Sequence, residues 1–178
     1  LAQQLSATRL ELFSLVSLSQ HYWALGEQTQ NSGDYAQARE SSALAETYAN
    51  QVLEISERPL NQFPQPEFLP DFFLIKTLED KTYFREIALN SLWSSLISLG
   101  DSYADQQSYA NALDAYEQAL TVAQRLGKQD IEFNTLNIIS AQHQRLAQYD
   151  QAITTANQAE TIAKVTNSPD LLLRATLW

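Results

Sequence analysis

The fold is decided by residues 96–119, which read LISLGDSYADQQSYANALDAYEQA. In and just after this stretch, Ala112, Ala115, Ala119 and Val122 recur at gaps of three and four residues, which is the period of an α-helix and not of a β-strand. Outside one proline-rich segment the chain is rich in Ala, Leu, Gln and Glu, which lose little side-chain entropy in a helix. The sequence therefore predicts an all-α fold.

The pattern of this stretch occurs three times along the chain. Each copy reads as a helix, a short turn and a second helix that opens with Tyr-x-x-Ala, and the second and third copies lie 40 residues apart. Asp170 repeats Asp130 at the same step, so residues 171–178 are predicted to begin a fourth unit. The second helices share these residues: Tyr35, Ala38 and Ala45; Tyr109, Ala112 and Ala119; Tyr149, Ala152 and Ala159.

These residues resemble the tetratricopeptide repeat, which places a large residue, Leu-Gly, aromatic residues and alanines at fixed steps. The second copy carries most of that pattern, in Leu96, Leu99, Gly100, Tyr103, Tyr109, Ala112, Tyr116 and Ala119. The first copy has Thr29 and Ser42, and the third has His143 and Ala156, where aromatic residues are usual. The resemblance implies a right-handed superhelical solenoid of antiparallel helix pairs.

The repeat length resembles a subclass of this family. A spacing of 40 residues is longer than the usual length of about 34. It is similar to the extended repeats of kinesin light chains and of many bacterial scaffold and signalling proteins.

We expect the whole chain to form a single solenoid segment with one insertion. The first helix pair is predicted in 1–57, the insertion in 58–78, the second pair in 79–127, the third in 128–168, and the start of a further, truncated helix in 169–178. Because the chain contains no methionine and opens on a helical pattern, we expect it to be a piece of a longer protein. The apolar residues of 171–178 are expected to pack on the third pair and to leave one face of this C-terminal helix for further repeats or for self-association with a symmetric neighbour.

The insertion is rich in both proline and apolar residues. Pro59, Pro64, Pro66 and Pro70 cannot lie inside regular helices, while the phenylalanines around them are too apolar for a free linker. We interpret the segment as an ordered loop, ending in a short helical turn, that packs back on the solenoid. A partner-binding element or a lid over the groove is the alternative.

Composition narrows the classes of partner. The chain has 21 acidic and 11 basic residues and a net charge of −10, which disfavours nucleic acid and anionic lipid. No apolar run approaches the length of about 18 residues that a membrane-spanning helix needs, and the start carries no secretory signal pattern. We therefore expect a soluble chain without direct membrane insertion, in the cytoplasm in preference to a secreted location. The lack of cysteine leaves the redox compartment undecided.

Catalytic and metal-binding motifs are not found in the sequence. His21 and His143 have no metal-ligand spacing, and a packed histidine is the better interpretation of His143. Gly127-Lys128 lacks the glycine-rich loop of a phosphate site and reads as the glycine that ends a helix. Glu79-Asp80 reads as helix N-terminal charge. We predict no enzymatic activity, no metal and no cofactor.

The resemblance implies that the first helices of successive units line a concave face. By register that face presents Gln20, Trp23, Glu27 and Gln30 from the first unit, Ser94, Ile97, Asp101 and Ala104 from the second, and Asn134, Asn137, Ala141 and Gln144 from the third, with Arg145 at its edge. The family's chaperone adaptors hold a peptide's terminal carboxylate with lysine, asparagine and arginine. Trp23 and Glu27 stand where the first lysine and asparagine would be, which argues against that mode.

Two features of this face suggest how a peptide would be held. Carboxamides both donate and accept hydrogen bonds, so Asn134, Asn137 and Gln144 could read a peptide backbone, with a merely solvated polar face as the alternative. Trp23 follows Tyr22 and is therefore rotated by about 100° from it toward the concave side, where an indole would anchor a ligand. The alternative is that the insertion or the preceding helix covers Trp23.

The function predicted from these features is a non-catalytic scaffold that binds a peptide or a partner protein in the groove. The alternative is a structural or regulatory arm of a larger bacterial enzyme or signalling protein, which contacts another domain of the same chain.

Overall fold

The computed structural model describes residues 7–58 and 78–171, and every regular element in these ranges is a helix. The complete helices are α1 Ala7–Asn31, α2 Tyr35–Glu57, α3 Leu78–Asp105, α4 Tyr109–Leu126, α5 Gln129–Arg145 and α6 Tyr149–Thr166. A further helix begins at Pro169 and is described through Leu171. The predicted all-α fold is confirmed.

The helices stack in the order of the chain. Each packs against the next, and α1 also packs against α3, so the first helices of the first two pairs lie side by side. The second helices begin at Tyr35, Tyr109 and Tyr149, as the repeat pattern predicts. The pairs α1–α2, α3–α4 and α5–α6 therefore form a helical repeat solenoid, in which each pair buries apolar surface against its neighbour.

The turn inside each pair has the same backbone conformation. Its middle residue lies in the left-handed region, with φ of 84° at Gly33, 59° at Gln107 and 57° at Ala147. In the first turn the Asp34 amide donates to the Thr29 carbonyl at 2.9 Å, and the other two turns repeat that bond. This is the Schellman arrangement, which satisfies the last carbonyls of a helix and reverses the chain.

A close approach between α3 and α4 depends on Gly100. A Cβ atom placed on Gly100 would lie 2.4 Å from a ring carbon of Tyr116, which is buried with 1% of its surface exposed. The missing side chain therefore makes room for the Tyr116 ring. In the first unit the equivalent pair is Gly26 and Ser42, and a Cβ on Gly26 would lie 3.2 Å from the Ser42 hydroxyl.

The hydrophobic core runs between the layers of helices. Phe84 is fully buried in the cluster formed by α1 to α4, and Phe133 is fully buried in the cluster of α5 and α6. Leu171 is 5% exposed and belongs to the second cluster, so the predicted packing of the C-terminal segment on the third pair is confirmed at this residue. Residues 172–178 lie outside the described part.

The insertion predicted in 58–78 falls almost wholly outside the described residues, because the structure leaves out 59–77. At its edges, α2 ends at Glu57 and α3 begins at Leu78, so Glu79 and Asp80 occupy the first turn of α3 as predicted. None of the helices in the described ranges is both long and apolar enough to cross a membrane.

Candidate functional site

Two cavities adjoin on the face formed by the first helices of the three pairs. The α1–α3 cavity has a volume of about 350 Å³ and the α3–α5 cavity about 540 Å³. Gln30 and Asp101 line both cavities, so the two cavities are immediate neighbours. We call the two cavities together the groove.

Most of the residues predicted for the concave face lie in this groove. Of the thirteen residues predicted for the concave face, eleven line it: Trp23, Glu27, Gln30, Ser94, Ile97, Asp101, Ala104, Asn134, Asn137, Ala141 and Arg145. The register of the repeat thus brings side chains from α1, α3 and α5 to one surface. Their role in binding stays a prediction.

The two remaining residues, Gln20 and Gln144, lie elsewhere. Gln20 is exposed on α1 about one helical turn before Trp23, ahead of the edge of the α1–α3 cavity. Gln144 lines a separate cavity with Tyr149 and Ile153. On α5 the groove side continues from Ala141 to Arg145, and Gln144 is rotated about 100° from Arg145.

The α1–α3 cavity is bounded by two indoles. Trp23 is half-buried and lines this cavity, as its rotation from Tyr22 predicts. Trp93 lines it from α3, and its indole N–H donates to the Thr135 hydroxyl of α5 at 3.0 Å. The two tryptophans and Ile97 give this end of the groove a partly apolar wall.

The base of the α3–α5 cavity is built by Tyr116. Its ring lies against Gly100, and its hydroxyl donates a short hydrogen bond of 2.5 Å to Asp101 Oδ1. A buried tyrosine hydroxyl requires such a partner. The packing of α3 on α4 thereby fixes the orientation of one carboxylate in the groove.

The charges of this cavity are predominantly negative. Burial raises the pKa of Asp101 above its ordinary value, Asp105 raises it further, and the Tyr116 hydrogen bond and Arg145 act in the opposite direction. Burial also raises the pKa of Tyr116, and the neighbouring Asp101 adds to that shift. Both effects follow from the cost of placing negative charge away from water and beside other negative charge.

The α5 side of this cavity carries Gln142 and Arg145. Gln142 is 2% exposed, and its Oε1 atom has no hydrogen-bond partner. At the equivalent position of α3, Ser102 is also buried, but its hydroxyl donates to the Tyr35 carbonyl at 3.3 Å. The Arg145 guanidinium lies 5.7 Å from the centre of the Tyr109 ring.

Sequence reasoning missed seven residues that line the groove, namely Asn31, Trp93, Ser98, Asp105, Tyr116, Ile138 and Gln142. Asp105 lies one helical turn after Asp101, which would have placed it on the same face. The hydroxyl of Tyr116 was a signal too, because a phenol in a core position needs a polar partner. No sequence signal marked Gln142, because the equivalent positions of the other two units carry the polar residues Gln28 and Ser102.

The residues considered above as metal ligands or as part of a phosphate site have structural roles. His143 is buried with 8% exposed, and its Nδ1 atom lies 2.8 Å from Gln148 Oε1, so it is a packed histidine as predicted. Gly127 ends α4 with a φ of 68°, which confirms its interpretation as a helix C-terminal glycine. In the part of the chain that the structure describes, no cluster of three or more histidine or carboxylate side chains could hold a metal ion.

Comparison with known proteins adds one finding. Residues 91–164, which span most of α3 through α6, match a protein family described as Tetratricopeptide repeat. The chain has no significant match among curated proteins.

Proposed function

We propose, from the premise that this chain is a tetratricopeptide repeat protein over residues 91–164, that its groove binds an extended segment of a partner protein. Tetratricopeptide repeats mediate protein–protein interactions and are typically non-catalytic. The observation that carries the proposal is the convergence of eleven predicted residues from three helices on two adjoining cavities.

The chemistry of the groove supports a peptide as its occupant. Trp23 and Trp93 offer a partly apolar wall for a side chain, and aromatic groups in enclosed positions dominate interface energetics. Asn134 and Asn137 line the other end, where carboxamides can donate to and accept from a peptide backbone. The groove thus combines an apolar anchor with backbone recognition.

Selection from a phage-displayed library of random peptides on the immobilised chain tests this proposal. The affinity of a selected peptide is then measured for the wild type and for Trp23→Ala, Asn137→Ala and the control Gln118→Ala. Gln118 is exposed on α4 and lines neither groove cavity. We expect a loss of about tenfold or more for Trp23→Ala, a smaller loss for Asn137→Ala and no change for the control.

The melting temperature of each variant separates an effect on binding from an effect on folding. Unchanged peptide affinity in Trp23→Ala and Asn137→Ala, with unchanged melting temperatures, would contradict binding in the groove. The insertion in 58–78 would then become the better candidate for the binding element.

The alternative function, an arm that contacts another domain of the same chain, would place an intramolecular segment in the same groove. A catalytic or signalling domain encoded beside this segment would favour that alternative. A chain made of repeats alone would favour an external partner.

A further inference from the structure

The α3–α5 cavity holds two carboxylates whose charge is not neutralised by an ion pair. Asp101 and Asp105 both line it, and within the described ranges neither forms a salt bridge with a lysine or arginine. Their hydrogen bonds come from neutral donors: the Tyr116 hydroxyl to Asp101, and the Gln30 amide to Asp105 Oδ2 at 3.2 Å. Each carboxylate therefore keeps acceptor capacity for a further donor.

A buried carboxamide lines the same cavity from the opposite helix. Gln142 lines the same cavity from α5, is 98% removed from solvent, and has an Oε1 atom without a hydrogen-bond partner. A buried acceptor without a partner is energetically costly, and a ligand that donates a hydrogen bond would relieve that cost. The two carboxylates and this carboxamide are independent features, and both favour a ligand that is rich in hydrogen-bond donors.

The cationic side chain that already lines the cavity does not pair with these carboxylates. Among the described residues that line the cavity, Arg145 is the only cation, and it is exposed and lies over the Tyr109 ring at 5.7 Å. With two carboxylates and one guanidinium, the lining retains a formal charge of −1. A bound carboxylate or phosphate would meet repulsion here, whereas a cation would be attracted.

We propose that the α3–α5 cavity is a subsite for an arginine side chain of the peptide bound in the groove, an inference that rests on the proposed function. A guanidinium has five N–H donors in a fixed plane and can bridge acceptors on α3 and α5 at once, which an ammonium group does less well. Because Gln30 and Asp101 line both cavities, the residue next to this arginine would reach the wall of Trp23, Trp93 and Ile97. The preferred segment therefore pairs an arginine with an apolar or aromatic neighbour.

The subsite can be tested with a small probe on the chain as it stands. N-acetyl-L-arginine amide is titrated into the protein while the side-chain amide signals of Asn137 and Gln142 are followed by NMR. N-acetyl-L-citrulline amide, which has nearly the same shape and no charge, is the matched control probe. We expect saturable shifts with the arginine probe and binding weaker by at least about tenfold with the citrulline probe.

Three variants assign the effect to the cavity. Asp101→Asn keeps an acceptor for the Tyr116 hydroxyl, Asp105→Asn keeps one for Gln30, and Asp114→Asn removes an exposed carboxylate of α4 that does not line the groove. We expect the first two to weaken arginine binding at least about tenfold and the third to leave it unchanged. Equal binding of both probes, or unchanged binding in both cavity variants, would overturn the subsite.

Failure of the subsite and failure of peptide binding give different results. Selected peptides that need Trp23 and Asn137, carry no enriched arginine and bind the Asp101→Asn variant normally would overturn the subsite and leave the peptide-binding function intact. Binding of the arginine probe without any selected peptide would contradict the peptide-binding function and the peptide source of the cation. Selected peptides enriched in arginine that lose affinity for Asp101→Asn and Asp105→Asn would support both proposals.

Discussion

At the scale of single residues, the groove depends on one glycine. Gly100 leaves space for the Tyr116 ring, the ring places its hydroxyl beside Asp101, and Asp101 lines both cavities. Gly100, which allows α3 and α4 to pack closely, therefore also determines where the Asp101 carboxylate lies in the groove. In the first unit, Gly26 faces the much smaller Ser42, so the equivalent contact is less crowded.

Replacing Gly100 with Ala tests this dependence. The new Cβ would lie 2.4 Å from the Tyr116 ring, so α3 and α4 must separate or the ring must move, and we expect unfolding in urea to show a loss of about 1–3 kcal/mol. Gly26→Ala is the matched control at the same repeat position, because its Cβ would lie 3.2 Å from a hydroxyl. We expect a change close to zero there, since the better helix propensity of alanine offsets the tighter contact. Equal losses in both variants would contradict the account.

The pH dependence of stability offers a second test at this scale. The pKa of Asp101 is raised from its ordinary value of 3.8, mainly by burial, so the folded chain holds this proton more tightly than the unfolded chain does. The stabilisation that this bound proton gives to the folded state is complete below pH 3.8 and is lost as the pH rises through the raised pKa of Asp101. Asp101→Asn removes this loss, so the variant gains stability relative to the wild type between acid and neutral pH.

Urea unfolding at both ends of that pH range measures the gain. Asp114→Asn serves as the control, because its carboxylate is exposed. If Asp101→Asn and the wild type lose the same stability over the range, burial of the Asp101 charge is not the cause of the shift.

At the scale of elements, the turns inside the three helix pairs share one backbone conformation. Gly33, Gln107 and Ala147 occupy the same position and all have positive φ, although only Gly33 is a residue that favours this conformation. Composition alone would have revealed the first of these turns and not the other two. The register of Tyr35, Tyr109 and Tyr149 was needed to align them, and it predicted the starts of all three second helices.

Replacing Ala147 with Gly is expected to stabilise the chain. A left-handed conformation costs an alanine about 1–2 kcal/mol, and relief of that cost should exceed the entropy lost by glycine, for a net gain of about 0.5–1 kcal/mol. The same change at Ala43, which is exposed within α2, is the control and should cost about 1 kcal/mol. Denaturant unfolding that shows destabilisation by both changes would contradict the assigned turn conformation.

At the scale of the whole molecule, the groove exists only because units stack. Its lining comes from α1, α3, α4 and α5, and Gln30 of α1 reaches across to Asp105 of α3. The repeat register predicted most of this surface from sequence because one helical period fixes which side chains face together. The register could not predict that Gln144 lies outside the groove, or that Gln142 is buried without a hydrogen-bond partner for its Oε1 atom. Both outcomes depend on how far one helix is rotated against the next.

The most direct test of the central claim, that the groove holds the peptide, is site-specific photo-crosslinking. A photoreactive residue is placed at Ser94, which lines the α1–α3 cavity, or at Thr121, which is exposed on α4 and lines neither groove cavity. Irradiation with a selected peptide should give a covalent adduct from position 94 and none from position 121. Adducts from position 121 alone, or from neither position while the peptide still binds, would contradict the account.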